Sequence, residues 1–169
     1  SSLPARKPLV MTSMFWFMIA AGVTYTGAES TAPATIPAPT EAARLRRTLE
    51  ALHAEGTPAT AIDTAWPHLG HKDRFVRFAA RVALERQPAA RWADRALAEL
   101  QPQASLEALI ALARVGDKAL QPKIIAALGR LDFAAQPVEL RQPLLRAWQL
   151  AFTRMGRPSA EVCATVVAK

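Results

Sequence analysis

The chain has 169 residues, 51% of them hydrophobic and 21% charged, which excludes a disordered polymer and fits one domain of ordinary size. Its one cysteine, Cys163, excludes an internal disulfide framework, a Cys-based zinc site and a Cys-x-x-Cys-His haem attachment within the chain. The net charge of +7 comes mostly from arginines scattered along the sequence, so it reads as a set of solvated helix faces rather than a basic tail.

Residues 1–27 differ in character from the rest. Arg6 and Lys7 precede an apolar stretch from Leu9 to Val23, interrupted by Thr12 and Ser13. It is short for a membrane span, which needs about 20 apolar residues, so no stable span is expected. Two readings fit. The basic flank and the small residues after it suit the apolar region of a secretory signal. Alternatively, the β-branched run Val23-Thr24-Tyr25-Thr26 before Gly27 suits a strand left from a preceding domain. The chain opens on Ser1 rather than Met, as a fragment or an altered start would. Residues 28–39 hold three prolines among small and polar residues, which admit neither a helix nor a central strand, so they read as an extended linker.

From residue 40 to 169 the pattern is helical. Thr40 is a good N-cap, and Leu45, Leu49 and Leu52 recur at i, i+4 and i+7, with Gly56 as the stop. A short helix through Ile62, Ala65 and Trp66 follows. Asp73 can cap a helix over 74–87, with Phe75, Phe78, Ala79 and Val82 on one face and Val76, Ala80, Ala83 and Leu84 on another. A helix apolar over most of its circumference is expected to lie between neighbours. Helices follow over 89–100 (Trp92, Ala96, Leu97 and Leu100 inward) and over 104–115, then a turn at Gly116-Asp117. Next come 119–131 and a stretch from Pro137, with Leu140, Leu144, Leu145, Trp148 and Phe152 inward. Gly156-Arg157-Pro158 ends that stretch, and a last short helix spans 159–167. Most prolines here fall at helix starts or ends, where a helical protein tolerates them. Pro143 fits a first turn if its helix begins near Glu139; an earlier start implies a kink. Pair starts near 72, 104 and 137 give a period of about 32 to 33 residues, within the range of helical-hairpin repeats.

The order Leu69, Asp73, Val76, Arg77, Ala79, Ala80, Ala83, Leu84 resembles the HEAT-repeat signature. The match is close over that hairpin and looser over 104–128 and 140–152. It implies an all-α fold, a HEAT-like α-solenoid of about three to four hairpins preceded by a non-solenoid N-terminal segment. In such repeats an acid and an arginine often form a ladder between layers. The position the acid usually takes holds His71 here, and Asp73 lies two residues later, which leaves the partner of Arg77 open. Val23 to Thr31 together with Ala65 to Glu85 is also similar to the HEAT region of large secreted bacterial proteins. In those, a sugar-dehydrogenase-like β-propeller precedes the repeats and a c-type cytochrome module often follows. The resemblance implies a scaffold or protein-interaction module of an exported, periplasmic or cell-surface protein. Its partners would be proteins or adjacent domains of the same polypeptide. The chain lacks the propeller and any haem motif, so redox activity is not carried over.

No constellation of residues points to chemistry. His68 and His71 flank Gly70 in a turn and read as turn histidines rather than metal ligands, and His53 stands alone. There is no nucleophile elbow, dinucleotide fingerprint or phosphate loop. Carboxylates such as Glu50 and Glu55 fall on solvated faces. The expectation is therefore a non-enzyme with no cofactor, no metal and no catalytic residue. The rival reading is nucleic-acid binding, with Arg74, Arg77 and Arg81 on adjacent turns and Arg86, Arg91 and Arg95 nearby forming a basic groove. Against it, Arg81 can pair with Glu85, Arg91 lies close to Asp94, and no aromatics interleave for base stacking. Trp66, Trp92 and Trp148 read as core residues, and Cys163 as a small buried hydrophobe.

Overall fold

The structure, a computed structural model, describes residues 38–54 and 56–167. The apolar segment 1–27, the strand reading at 23–26, the linker as far as 37, and Glu55 lie outside the described residues. Among the described residues every regular element is helical: α1 (Glu41–Glu50), α2 (Ala61–Ala65), α3 (Arg74–Glu85), α4 (Ala93–Ala98), α5 (Pro102–Val115), α6 (Gln121–Leu128), α7 (Val138–Met155) and α8 (Ala160–Val167). None is long and apolar enough to cross a membrane.

Local chemistry sets the helix boundaries. The Thr40 hydroxyl accepts the Ala43 N–H at 3.2 Å, and the Asp73 carboxylate accepts those of Phe75 and Val76 at 2.8 and 3.3 Å. Each satisfies a donor that the first turn would otherwise leave open. Pro102 takes the first position of α5, where its missing N–H costs nothing, and the Gln101 side chain caps it through Ala104 N–H. At Gly116 a Cβ would stand 2.5 Å from the Leu112 carbonyl oxygen, which restricts the end of α5 to glycine. Gly156 closes α7 at φ 98°, a backbone region that side chains disfavour.

Pro143 lies in the second turn of α7, because the helix starts at Val138. Its missing N–H leaves the Glu139 carbonyl without the usual partner four residues on. The segment expected over 89–100 divides into a 3-10 turn over Ala89–Arg91 and the short α4, separated at Trp92, whose φ of −134° is not helical. In return Trp92 is fully buried and donates its indole N–H to the Gln87 carbonyl at 3.3 Å.

α1, α3, α5 and α7 pack side by side in that order, while α2 packs on α3, α4 on α5, and α6 on both α5 and α7. α5 is central, and every residue from Ala104 to Ala113 is buried. Long-range polar contacts tie each helix pair to the next at similar sequence offsets: Thr57 to Gln87, Trp66 to Glu99, Leu97 to Arg130 and Gln121 to Ala151. The first-layer helices begin at 41, 74, 102 and 138, so the steps are 33, 28 and 36 residues. The longest step contains the loop 129–137. Arg141 holds that loop by donating to the carbonyls of Gln136 and Ala134 at 3.0 and 3.1 Å.

Four residues expected inside are outside: Phe75, Phe78, Leu100 and Leu145. The reason is geometric. α3 has α1 and α5 on its flanks and α2 beneath, which accounts for a wide apolar arc. Its remaining side faces solvent, and Phe75 and Phe78 fall there while Val76, Ala79, Ala80, Ala83 and Leu84 are buried. Leu145 occupies the corresponding open side of α7.

Candidate interaction face

The open side of α3, α5 and α7 carries the densest charge network among the described residues. The Asp73 cap fixes the start of α3, and Arg77 reinforces it by donating to the carbonyls of His71 and Lys72 at 2.7 and 3.0 Å. One turn later Arg81 leans toward α5. Between them stands Glu107 of α5, a lone acid in a buried helix. It meets Arg81 Nη1 at 2.7 Å and Arg77 Nε at 3.4 Å, and Gln103 donates to it at 3.3 Å. Arg81 also contacts Glu85 at 3.5 Å, and Arg114 reaches Glu85 at 2.9 Å. The result is an alternating chain, Arg77–Glu107–Arg81–Glu85–Arg114, laid along the seam between α3 and α5. The side chains of Arg81 and Glu107 are 18% and 11% exposed, so water screens them less than it would a surface pair. Burying such groups offsets much of the Coulomb gain, so the network's main effect is to hold α3 and α5 in one register.

Aromatic rings border the network. The Arg74 guanidinium lies 5.0 Å over the Phe75 ring, and that of Arg81 lies 5.1 Å over Phe78. Two depressions share Arg81 and Glu107 as a common wall. One, of about 310 Å3, lies among Arg74, Phe75, Arg77 and Phe78. The other, of about 600 Å3, lies between α5 and α7 against Ile110, Leu145 and Arg146. The two adjoin along the face of α3, α5 and α7 as the two halves of one groove. Arg146 donates to Gln149 at 2.6 Å and meets no carboxylate among the described residues.

A second polar cluster joins α2 to α4. Arg95 pairs with Asp63 at 2.9 Å and stacks 4.2 Å over Trp66, whose indole N–H donates to Glu99 at 2.9 Å. Burial raises the Glu99 pKa, but N–H donors from Gln101, Trp66 and Leu100 and the charge of Arg95 outweigh it, so the net shift is downward. A mostly apolar cleft of about 550 Å3 lies among the loop 129–133, α7 and α8, lined by Leu131, Phe133, Leu144, Trp148, Phe152 and Val166.

The six arginines singled out from sequence do not form one stripe. Arg74, Arg77 and Arg81 share the groove. Arg95 belongs to the α2–α4 cluster, and Arg86 and Arg91 are exposed elsewhere. Arg81 does pair with Glu85; Arg91 and Asp94 make no ion pair. The acid that answers Arg77 comes from α5, while Asp73 serves as a cap.

His68 and His71 have ring centroids 6.4 Å apart and are half-buried. The His71 Nδ1 accepts the Asp73 N–H at 3.0 Å, and burial followed by the neighbouring His71 lowers the His68 pKa. His53 donates through Nε2 to the Ala79 carbonyl at 2.8 Å, tying the end of α1 to α3. Trp66 and Trp92 are core residues, but Trp148 is half-buried and lines the apolar cleft. Cys163 is likewise half-buried, with Sγ 3.8 Å from the Pro158 carbonyl. No group of three or more metal-ligating side chains occurs among the described residues.

Sequence reasoning missed Glu107 and Arg146. A signal for Glu107 was present: a single acid inside the apolar run Ala104–Ala113 needs a cationic partner to be buried. Nothing in the local pattern marks Arg146. No family model, no curated protein and no solved structure matches the chain.

Proposed function

We propose that residues 40–169 are a HEAT-like module that holds or binds other proteins, or neighbouring domains of its own polypeptide, and carries out no chemistry itself. The observation that carries this reading is the pair of adjoining depressions over α3, α5 and α7, which share Arg81 and Glu107 and are bordered by exposed apolar side chains. Successive stacked helices create such extended surfaces in repeat proteins, and large exposed apolar side chains grouped on one face mark interaction sites. The layer-to-layer bonds at recurring offsets support the repeat reading. The resemblance of Leu69 to Leu84 supports its HEAT character. The wider resemblance supports, for this module, a setting in an exported bacterial protein with a sugar-dehydrogenase-like propeller and a c-type cytochrome.

The test is site-specific photo-crosslinking from exposed positions in the full-length gene product, combined with fractionation of the cells. A crosslink to a defined protein or domain in the exported fraction is the expected result. Absence of crosslinks from every face, or retention in the cytosol, overturns the reading. The gene sequence on either side tests the wider context directly. Nucleic-acid binding is the rival, and it draws on arginines of which Arg77, Arg81 and Arg95 are engaged by carboxylates.

A further inference from the structure

We propose that the groove over α3, α5 and α7 docks an acidic protein segment whose carboxylates flank a large apolar side chain. This rests on the interaction-module reading and adds the place and the chemistry of the partner. Charge is the first ground. The walls of the two depressions carry Arg74, Arg77, Arg81 and Arg146 against the single acid Glu107. Glu107 is shared by Arg77 and Arg81, which lie in the middle of the groove. The cations at its two ends meet no carboxylate among the described residues: Arg74 only covers the Phe75 ring, and Arg146 holds the neutral Gln149. The demand for negative charge therefore lies at the ends.

The second ground is what lies between them. Phe75, Phe78 and Leu145 are 55%, 54% and 56% exposed, large apolar side chains aimed at solvent on the same face. A ligand that is only anionic leaves them wet. One that brings an aliphatic or aromatic side chain covers them and removes apolar area from water. Both phenylalanine rings already carry a guanidinium on one face. These features favour a peptide over a nucleic acid, whose bases need free rings to stack on.

The experiment uses the intact chain and a fluorescein-labelled synthetic peptide with glutamates at both ends and a central Leu-Phe pair. Three controls accompany it: the same peptide with Ser-Ser at the centre, the same peptide with lysines for glutamates, and a short duplex DNA. The expected result is saturable binding that weakens with salt and falls about tenfold in Arg146→Glu and in Phe78→Ser, while Arg86→Glu, outside the groove, binds as the parent does. Arg146 and Phe78 are exposed, and each variant's fold is to be checked by circular dichroism. The proposal is overturned if the Ser-Ser peptide or the duplex binds as tightly, if both groove variants bind like the parent, or if no binding saturates. In the full-length protein, crosslinks from the α2–α4 surface with none from position 145 would sink this proposal alone. No crosslink from any face would sink the module reading with it.

Discussion

The two sides of α5 are built differently. Toward α3 it meets an alternating chain of arginine and glutamate, with Glu107 at the centre. Toward α7 it meets an apolar stripe of Leu140, Leu144, Ala147 and Ala151, and no ion pair among the described residues joins the two helices. Both seams bury α5, but they specify it by different means. Apolar packing is non-directional and supplies most of the stability. The charged seam contributes less net energy and demands one register, because a shift of α3 along α5 would separate the half-buried charges. The groove sits where the two kinds of seam meet, which is why it offers both cations and exposed apolar side chains.

The largest expected effect lies on the apolar side. Leu144 is 1% exposed, and truncation to alanine leaves a cavity beside Trp148, so Leu144→Ala is expected to lower unfolding stability by about 3 kcal/mol. Urea denaturation followed by circular dichroism reads this directly. A loss below about 1 kcal/mol would mean that α7 can repack and that the apolar stripe is not its anchor.

The charged seam gives a smaller loss with a different signature. Glu107→Ala removes the carboxylate that Arg77 and Arg81 share, leaving Arg81 with Glu85 and Arg77 with backbone carbonyls, and is expected to cost about 2 kcal/mol, below the range for fully buried pairs because the side chains retain some water and other partners. The triple change Arg77→Met, Arg81→Met, Glu107→Leu is expected to restore most of that, since an apolar replacement removes the desolvation penalty as well as the attraction. If the triple variant is as unstable as Glu107→Ala, the network contributes net stability and the contrast between the seams is wrong. Asp73→Ala should cost about 1 kcal/mol by opening two donors at the start of α3. Hydrogen exchange should localise that loss to the first turn of α3 and leave α7 unchanged.

Much of this was legible in the chain. Thr40, Asp73 and Pro137 mark helix starts by chemistry that acts within a few residues, and α1, α3 and α7 begin just after them, whereas α5 begins at Pro102, two residues before the start expected at 104. The core stripe of α3 follows from its spacing. What spacing could not tell is which sides of a helix its neighbours cover. It identified a wide apolar arc on α3 without showing that Phe75 and Phe78 fall in the open sector, and the same limit misplaced Leu145. The groove was illegible for a related reason. Arg81, Glu107 and Arg146 lie on three helices, and only packing brings them together. Trp92 was read as one helical position among others, although its non-helical φ divides the segment.

The smallest effect distinguishes two neighbouring contacts of α4 by pH. Trp66 to Glu99 and Arg130 to Leu97 are bonds of the same offset, 33 residues, in successive helix pairs. The first ends on a carboxylate and the second on a backbone carbonyl. The folded-state pKa of Glu99 lies below its ordinary value of 4.5. Its contribution is therefore complete above the ordinary glutamate range and is lost as pH falls through the depressed folded value. The Arg130 bond ends on a backbone carbonyl, so no carboxylate takes part in it. Acid should thus loosen the α2–α4 contact while the bond to Leu97 persists. The Trp66 indole N–H resonance reports the first contact, and its acid-induced shift should disappear in Glu99→Gln. A shift that survives that substitution would assign the acid sensitivity to another carboxylate, and simultaneous loss of protection in α6 would show that the two contacts do not loosen separately.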